Sequence, residues 1–205
     1  MRCALPATVM LIAACCAPQT AERPEPRPER VAAICGDPRL EGRRIAAIGP
    51  NEAGCGIAEP VELTAVAGVQ LTGVPAQVNC TTARALADWV ETGLRPADEI
   101  APAPVVSMRV AAAYACRTRN GQQGARLSEH ARGNAIDLSS FTLANGMERR
   151  VSDGWRRPAS DSWFRRIHRA ACGPFGTVLG PEADRFHQNH FHFDVARYRS
   201  GPFCR

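Results

Sequence analysis

Apolar and polar residues alternate along HFHFDVA, residues 190–196, so a strand here sends Phe191 and Phe193 to one face and His190, His192 and Asp194 to the other. The same period runs from Ala135 to Leu143, with Ile136 and Leu138 on one side and Asp137 on the opposite side. It ends at Asn145-Gly146, a dipeptide suited to a tight turn, which predicts a hairpin returning through Met147 to Ser152. Val105 to Cys116 is apolar enough for a buried strand and breaks at the polar run RTRNGQQGA. Two segments change period. Thr81 to Gly93 opens with a threonine suited to capping, gathers Ala85, Leu86, Trp89 and Val90 on one side, and stops at glycine. Asp161 to Cys172 repeats Trp163, Phe164, Ile167 and Ala171 at helical spacing. The predicted class is α+β, a small antiparallel sheet flanked by helices.

Outside these elements the chain divides by composition. Residues 1–16 read as an export signal, with Arg2 as the basic end and an apolar stretch from Ala4 to Ala14. That stretch is shorter than the roughly 20 apolar residues of a spanning helix. The run Leu11-Ile12-Ala13-Ala14-Cys15 also resembles a lipobox, in which Cys15, with Cys16 as the competing position, becomes a lipid-bearing first residue. Residues 17–30, APQTAERPEPRPER, mix proline with charge and read as a Pro-rich disordered linker. Residues 31–60 are rich in glycine and small residues and read as a small disulfide-pinned preamble, leaving residues 61–205 as the main domain. The expected location is outside the cytoplasm, in the periplasm or cell envelope, with a possible lipid anchor to the membrane.

Composition narrows the class only slightly. Charged and hydrophobic fractions of 22% and 45% are those of an ordinary globular protein. The net charge of +5 is carried by arginine alone, since lysine is absent. Those arginines are scattered in pairs, as at Arg43-Arg44, Arg149-Arg150 and Arg165-Arg166, rather than clustered on one element, which argues against a nucleic-acid partner. Beyond Cys3, Cys15 and Cys16, six cysteines remain, an even count that reads as three disulfides in an oxidising compartment. Pairing in segment order gives Cys35 with Cys55, Cys80 with Cys116, and Cys172 with Cys204. None of the six has the short spacing of a zinc ribbon.

The chain holds five histidines, and His187, His190 and His192 fall within six residues. Strand parity puts His190 and His192 on one face, with His187 approaching from the preceding loop and Asp194 placed to orient an imidazole. A second segment, SEHARGNAIDLSSF, offers His130 from a loop and Asp137 from a strand, with Gly133 permitting a turn between them. His130, Asp137 and one strand histidine make the three nitrogen and oxygen ligands that a catalytic zinc takes, with a fourth position open. Parity alone allows either His190 or His192 as the third. His168, beside Arg169 on an amphipathic helix, reads as a surface or packing residue, and the three tryptophans as core or groove residues.

HARGNAID and HQNHFHFD together resemble the signature of the lysostaphin, D-alanyl-D-alanine metallopeptidase and hedgehog superfamily. That resemblance implies a hedgehog-like, disulfide-stapled fold and a zinc ion held by His130, Asp137 and His192. The spacing of His187, His190 and His192 is similar to that of penicillin-insensitive murein endopeptidases, in which the two earlier histidines line the active site. YACRTRN, SEHARGNAID and QNHFHFDV in order, with paired cysteines, resemble the extensin-like C-terminal family of bacteria over about residues 60 to 205. The implied activity is zinc-dependent hydrolysis of peptide cross-links in peptidoglycan. His190 is the first candidate for the base, with His187 assisting. Asn189 stands where the carboxypeptidase branch has its glutamate, which favours the endopeptidase arrangement. Arg117 looks like the arginine that related peptidases aim at a substrate carboxylate, and Ser128 either meets substrate or organises the turn before His130.

Two competing enzymes fail on the residues. A metallo-β-lactamase needs a histidine where Val195 stands and further ligands beyond it, and only ten residues follow. A cysteine peptidase needs a free thiol, which six pairing cysteines do not supply. The alternative that stands is a non-catalytic cell-envelope binding or structural lipoprotein that keeps the fold, with or without zinc, and does not cut.

Overall fold

The chain was analysed as a computed structural model, which describes residues 33–51, 53–156 and 162–205. The signal at 1–16 with Cys15 and the linker at 17–30 lie outside the described residues. The strands are β1 (Leu40–Arg44), β2 (Val61–Val66), β3 (Val69–Gly73), β4 (Ala76–Val78), β5 (Val105–Ala112), β6 (Ala135–Leu143), β7 (Glu148–Arg150), β8 (Thr177–Leu179), β9 (Phe191–Asp194) and β10 (Phe203–Cys204). The α-helical segments are α1 (Cys80–Trp89), α2 (Arg95–Ala97), α3 (Val151–Gly154) and α4 (Ser162–Ala170). Among the described residues no helix is long and apolar enough to cross a membrane.

The period-2 segments become the middle of the sheet. β6 spans the residues its alternation predicts, and the hairpin to β7 closes on Gly146 at φ 83°, with the Asn145 side chain accepting from the Met147 amide at 3.1 Å. The sheet is larger than expected, ten strands in the order β1-β2-β3-β5-β6-β9-β8-β10, with β4 on β2 and β7 on β6. It is also mixed, because β3 runs parallel to β5 and β8 parallel to β10. The small antiparallel sheet is therefore corrected to a large mixed one. The missed strands give a physical reason: β1 and β3 each bury only their first residue, so no alternation marks them. The β2–β3 turn is Ala67-Gly68, both at positive φ as a two-residue hairpin requires, with alanine where asparagine or aspartate is usual.

Helix α1 departs from expectation at both ends. Its cap is Asn79, whose side chain accepts from the Thr82 amide, rather than a threonine. At the other end the chain runs through a π-turn, Val90–Leu94, into α2 instead of stopping at Gly93. Gly93 is needed for a close approach: a Cβ there would lie 2.7 Å from the Ala170 Cβ and 3.0 Å from the Trp89 ring. The glycine that resembles a stop is the place where α4 crosses.

The core lies between these helices and the sheet face that carries Ile136, Leu138, Phe191 and Phe193, all fully buried. Trp89 packs edge-on against Phe193 at 5.2 Å and donates its indole N–H to the Ile167 carbonyl at 2.9 Å. Phe141 meets Trp163 at 5.2 Å. Each such side chain removed from water contributes about 1.5–3 kcal/mol.

The disulfides join Cys35 to Cys80, Cys55 to Cys116 and Cys172 to Cys204. Only the third follows segment order, and Cys35–Cys55 and Cys80–Cys116 are corrected. Residues 35 and 55 face different partners: the turn holding Cys35 docks on the first turn of α1, and the loop holding Cys55 reaches the segment after β5. The described part of the stretch at 31–60 carries one local β-bridge, Ile48 with Ile57. Its strand β1 pairs with β2, and its two disulfides lead into the main domain.

His168 is a packing residue, buried with its ring 5.1 Å from both Trp155 and Phe191. Its Nε2 has no hydrogen-bond partner among the described residues. Burial pushes its pKa from 6.5 down to about 4, with Arg165 and Arg169 acting in the same direction and Glu182 and the Arg205 carbonyl against it. The sign is that of a depressed pKa: the unfolded chain takes up a proton near pH 6.5 that the folded chain refuses until about pH 4. Stability is therefore expected to fall through that window, and denaturant titrations at a series of pH values should show a shallower fall for His168→Leu. Equal slopes would refute it. Non-reducing peptide mapping should recover the three bridges as paired above, and a Cys35–Cys55 peptide would contradict the fold.

Candidate metal centre

β6 and β9 pair antiparallel with Asp137 directly opposite His192. The neighbours of both residues point the other way, into the aromatic core, so the two polar side chains emerge together on the opposite sheet face. His130 comes from a single 3-10 turn, Glu129–Arg132, opened by Ser128 and closed by Gly133 in the left-handed region at φ 65°. That turn is tied down on three sides. The Gly133 carbonyl accepts from the Asn79 amide at 3.0 Å and the Thr82 hydroxyl at 2.9 Å, at the start of α1. The Ala131 carbonyl accepts from the Gly56 amide at 2.8 Å, and the His130 carbonyl from the Ala115 amide at 3.3 Å. The Cys55–Cys116 bridge joins the two segments that make these last contacts.

The three side chains meet closely. His130 Nε2 lies 3.2 Å from Asp137 Oδ1 and 3.1 Å from His192 Nδ1, and His192 Nδ1 lies 2.8 Å from the same carboxylate oxygen. The far side of each imidazole decides what those distances mean. His130 Nδ1 is 2.6 Å from the Ala113 carbonyl, which can only accept, so that nitrogen carries the hydrogen. His192 Nε2 is 3.0 Å from Asp194 Oδ2, with the same result. Asp194 is itself fixed by the Ala196 amide at 2.9 Å. In the neutral tautomers, then, two imidazole lone pairs and a carboxylate converge with no hydrogen among them.

Such a cluster binds either a proton or a metal ion. Burial works against a charged His192, but the Asp137 and Asp194 carboxylates outweigh it and hold its pKa up to about 9. Burial likewise works against a charged Asp137, yet His130 and His192 keep that carboxyl well below its ordinary 3.8. The donor set fits a metal: two imidazole nitrogens and one carboxylate oxygen, buried, with the outer nitrogen of each imidazole already bonded to a fixed oxygen. Donor atoms about 2.0 Å from a tetrahedral ion stand about 3.3 Å apart, close to the separations here.

The cluster forms the floor of a pocket of about 510 Å³. His187 and His190 line the wall above it, with ring centroids 5.3 Å apart. His190 Nε2 is 3.6 Å from the second oxygen of Asp137 and its Nδ1 is 2.8 Å from Asn189 Oδ1, while burial lowers its pKa from 6.5. Arg117 lines the same pocket, half-buried, with one long contact from its guanidinium to the Thr118 carbonyl at 3.5 Å. Ser128 also reaches the pocket, and its hydroxyl accepts from the His130 amide at 3.4 Å, so it organises the turn. Arg117, Ser128, His130, Asp137, His187, His190, His192 and Asp194 thus line one cavity. The sequence reading missed the Ala113 carbonyl, which no side-chain pattern marks, and Asp184, whose spacing of three before His187 was the available signal. It also missed the exposed aromatic residues Phe186, Tyr198 and Phe203 at the rim.

A family model described as "Extensin-like protein C-terminus" matches residues 37–205. No curated protein and no solved structure matches the chain.

Gly133 is the point where this geometry is most easily broken. A Cβ there would meet the Ile57 side chain at 2.3 Å and the Asn79 amide at 3.0 Å, on a backbone at positive φ. Gly133→Ala is expected to cost more than about 1 kcal/mol in denaturant unfolding. A variant as stable as the parent would show that the turn is not held as described.

Proposed function

The chain belongs to the extensin-like C-terminal family, and we propose that it hydrolyses peptide cross-links of peptidoglycan in the cell envelope with zinc held by His130, Asp137 and His192. One observation carries the reading: two imidazole nitrogens and a carboxylate oxygen meet at 2.8–3.2 Å on the floor of a pocket, and the oxygen behind each imidazole selects the neutral tautomer whose lone pair points inward. Imidazole with carboxylate suits zinc, and three protein ligands facing a cavity are the pattern of a catalytic rather than a structural site. Zinc in that place would supply Lewis-acid polarisation of a scissile carbonyl and activate water near neutral pH.

The remaining roles fall to this chain's own groups. His190 and His187 stand beside the floor, and the burial that lowers the pKa of His190 keeps its ring neutral and able to take a proton. Among the described residues Arg117 makes one hydrogen bond, to the Thr118 carbonyl, and it faces the pocket, where a peptide carboxylate would meet its other donors. Ser128 serves by holding the His130 turn. The substrate class and the envelope location rest on the resemblance of both histidine motifs to cell-wall endopeptidases, and three disulfides are consistent with an oxidising compartment. A hedgehog-like fold belongs to the same reading.

Elemental analysis and digestion of purified peptidoglycan test it together. Wild-type protein should carry zinc in stoichiometric amount and release muropeptides, and Asp137→Ala should lose both. Asp194→Ala, which frees the outer nitrogen of His192, should bind zinc about 10- to 100-fold more weakly. His190→Ala should keep zinc and lose activity by about 10²- to 10⁴-fold. Zinc without muropeptide release, beside an active lytic control, would replace the hydrolase with a non-catalytic envelope protein. Absence of zinc from wild type, with Asp137→Ala unchanged in activity, would sink the metal assignment.

A further inference from the structure

Each imidazole around the pocket has one nitrogen against a fixed oxygen, but the four oxygens do not constrain alike. The Ala113 carbonyl and the Asp194 carboxylate fix the two ligand rings. His190 faces the Asn189 amide at 2.8 Å, and an amide can accept through oxygen or donate through nitrogen, so it enforces neither tautomer. With its Nε2 lying 3.6 Å from the Asp137 carboxylate, His190 is best served by a hydrogen on that nitrogen. His187 is different. Its Nδ1 is 2.7 Å from Asp184 Oδ1, a carboxylate that can only accept. The same oxygen accepts from the Phe186 amide at 2.7 Å, which prevents the carboxylate from turning away. His187 itself is buried, with its ring 5.6 Å from that of His192.

We propose that Asp184 is a positioning residue that selects, for the neutral form of His187, the tautomer with its hydrogen on Nδ1, leaving Nε2 as an imidazole hydrogen-bond acceptor turned to the pocket. The ligand group it meets is therefore a donor, a peptide N–H or a water molecule. This rests on the reading of the pocket as hydrolytic and deepens it by giving His187, which assists His190, a fixed orientation. Asp184 acts only through the ring it orients, and Asn at this position would keep an accepting oxygen in place, whereas Ala would not.

Long-range proton–nitrogen spectra of the full chain report which ring nitrogen of His187 carries the hydrogen. Wild type should show it on Nδ1, Asp184→Asn should retain that form in large part, and Asp184→Ala should shift toward the other tautomer. On peptidoglycan, Asp184→Ala should lower kcat by about 10- to 100-fold with KM and zinc content unchanged, and Asp184→Asn should recover part of the loss. Persistence of the Nδ1 hydrogen in Asp184→Ala overturns the proposal, as does an unchanged kcat. The spectral arm needs no turnover. A wild type that hydrolyses nothing yet shows the tautomer change would refute the hydrolase and leave the positioning role standing.

Discussion

The meeting of Asp137 with His192 across β6 and β9, completed by His130, is the constraint on which the rest of the structure depends. Two imidazoles and a carboxylate are held within hydrogen-bond distance in a buried corner, where a shared proton or a cation can satisfy all three. The arrangement is sustained by bonds on their far sides, to the Ala113 carbonyl, to Asp194 and along the strand ladder. The site is best understood as a set of oxygens that aim imidazoles, and the imidazoles as what they aim.

The supporting frame explains features that otherwise look decorative. The loop around Cys55 contributes no ligand, but its amide at Gly56 and its side chain at Ile57 press on the turn that carries His130, and a disulfide locks it there. Asn79 caps α1 and at the same time donates its amide to the far end of that turn, so the helix start and the metal floor share one residue. A substitution made for helix stability at Asn79 would therefore reach the site.

Much of the candidate site was legible because its residues lie in two short motifs. Gly133 reads as a turn, and alternation separates Asp137 and the His190 and His192 pair from the apolar faces of their strands; the choice of His192 came from the resemblance, and the structure adds that it faces Asp137. What could not be read depends on partners distant in sequence. Cysteine pairing follows which loops the sheet order brings together, so adjacency along the chain gave one bridge in three, Cys172–Cys204. β1 and β3 are strands because β2 and β5 supply their hydrogen bonds, not because their side chains alternate. Gly93 carries the composition of a stop and the duty of a contact, and only the position of α4 distinguishes them.

Because β6 and β9 present the ligands on one face and Ile136, Leu138, Phe191 and Phe193 on the other, the two faces cannot be set independently. A slip of one residue in their pairing would carry His192 and Asp194 among Trp89 and Phe141 and turn two phenylalanines out to water. Each exposed ring would forfeit about 1.5–3 kcal/mol, before counting the buried charge. The oily side of the sheet therefore proofreads the polar side: the burial that sets the register also sets which polar side chains share the opposite face.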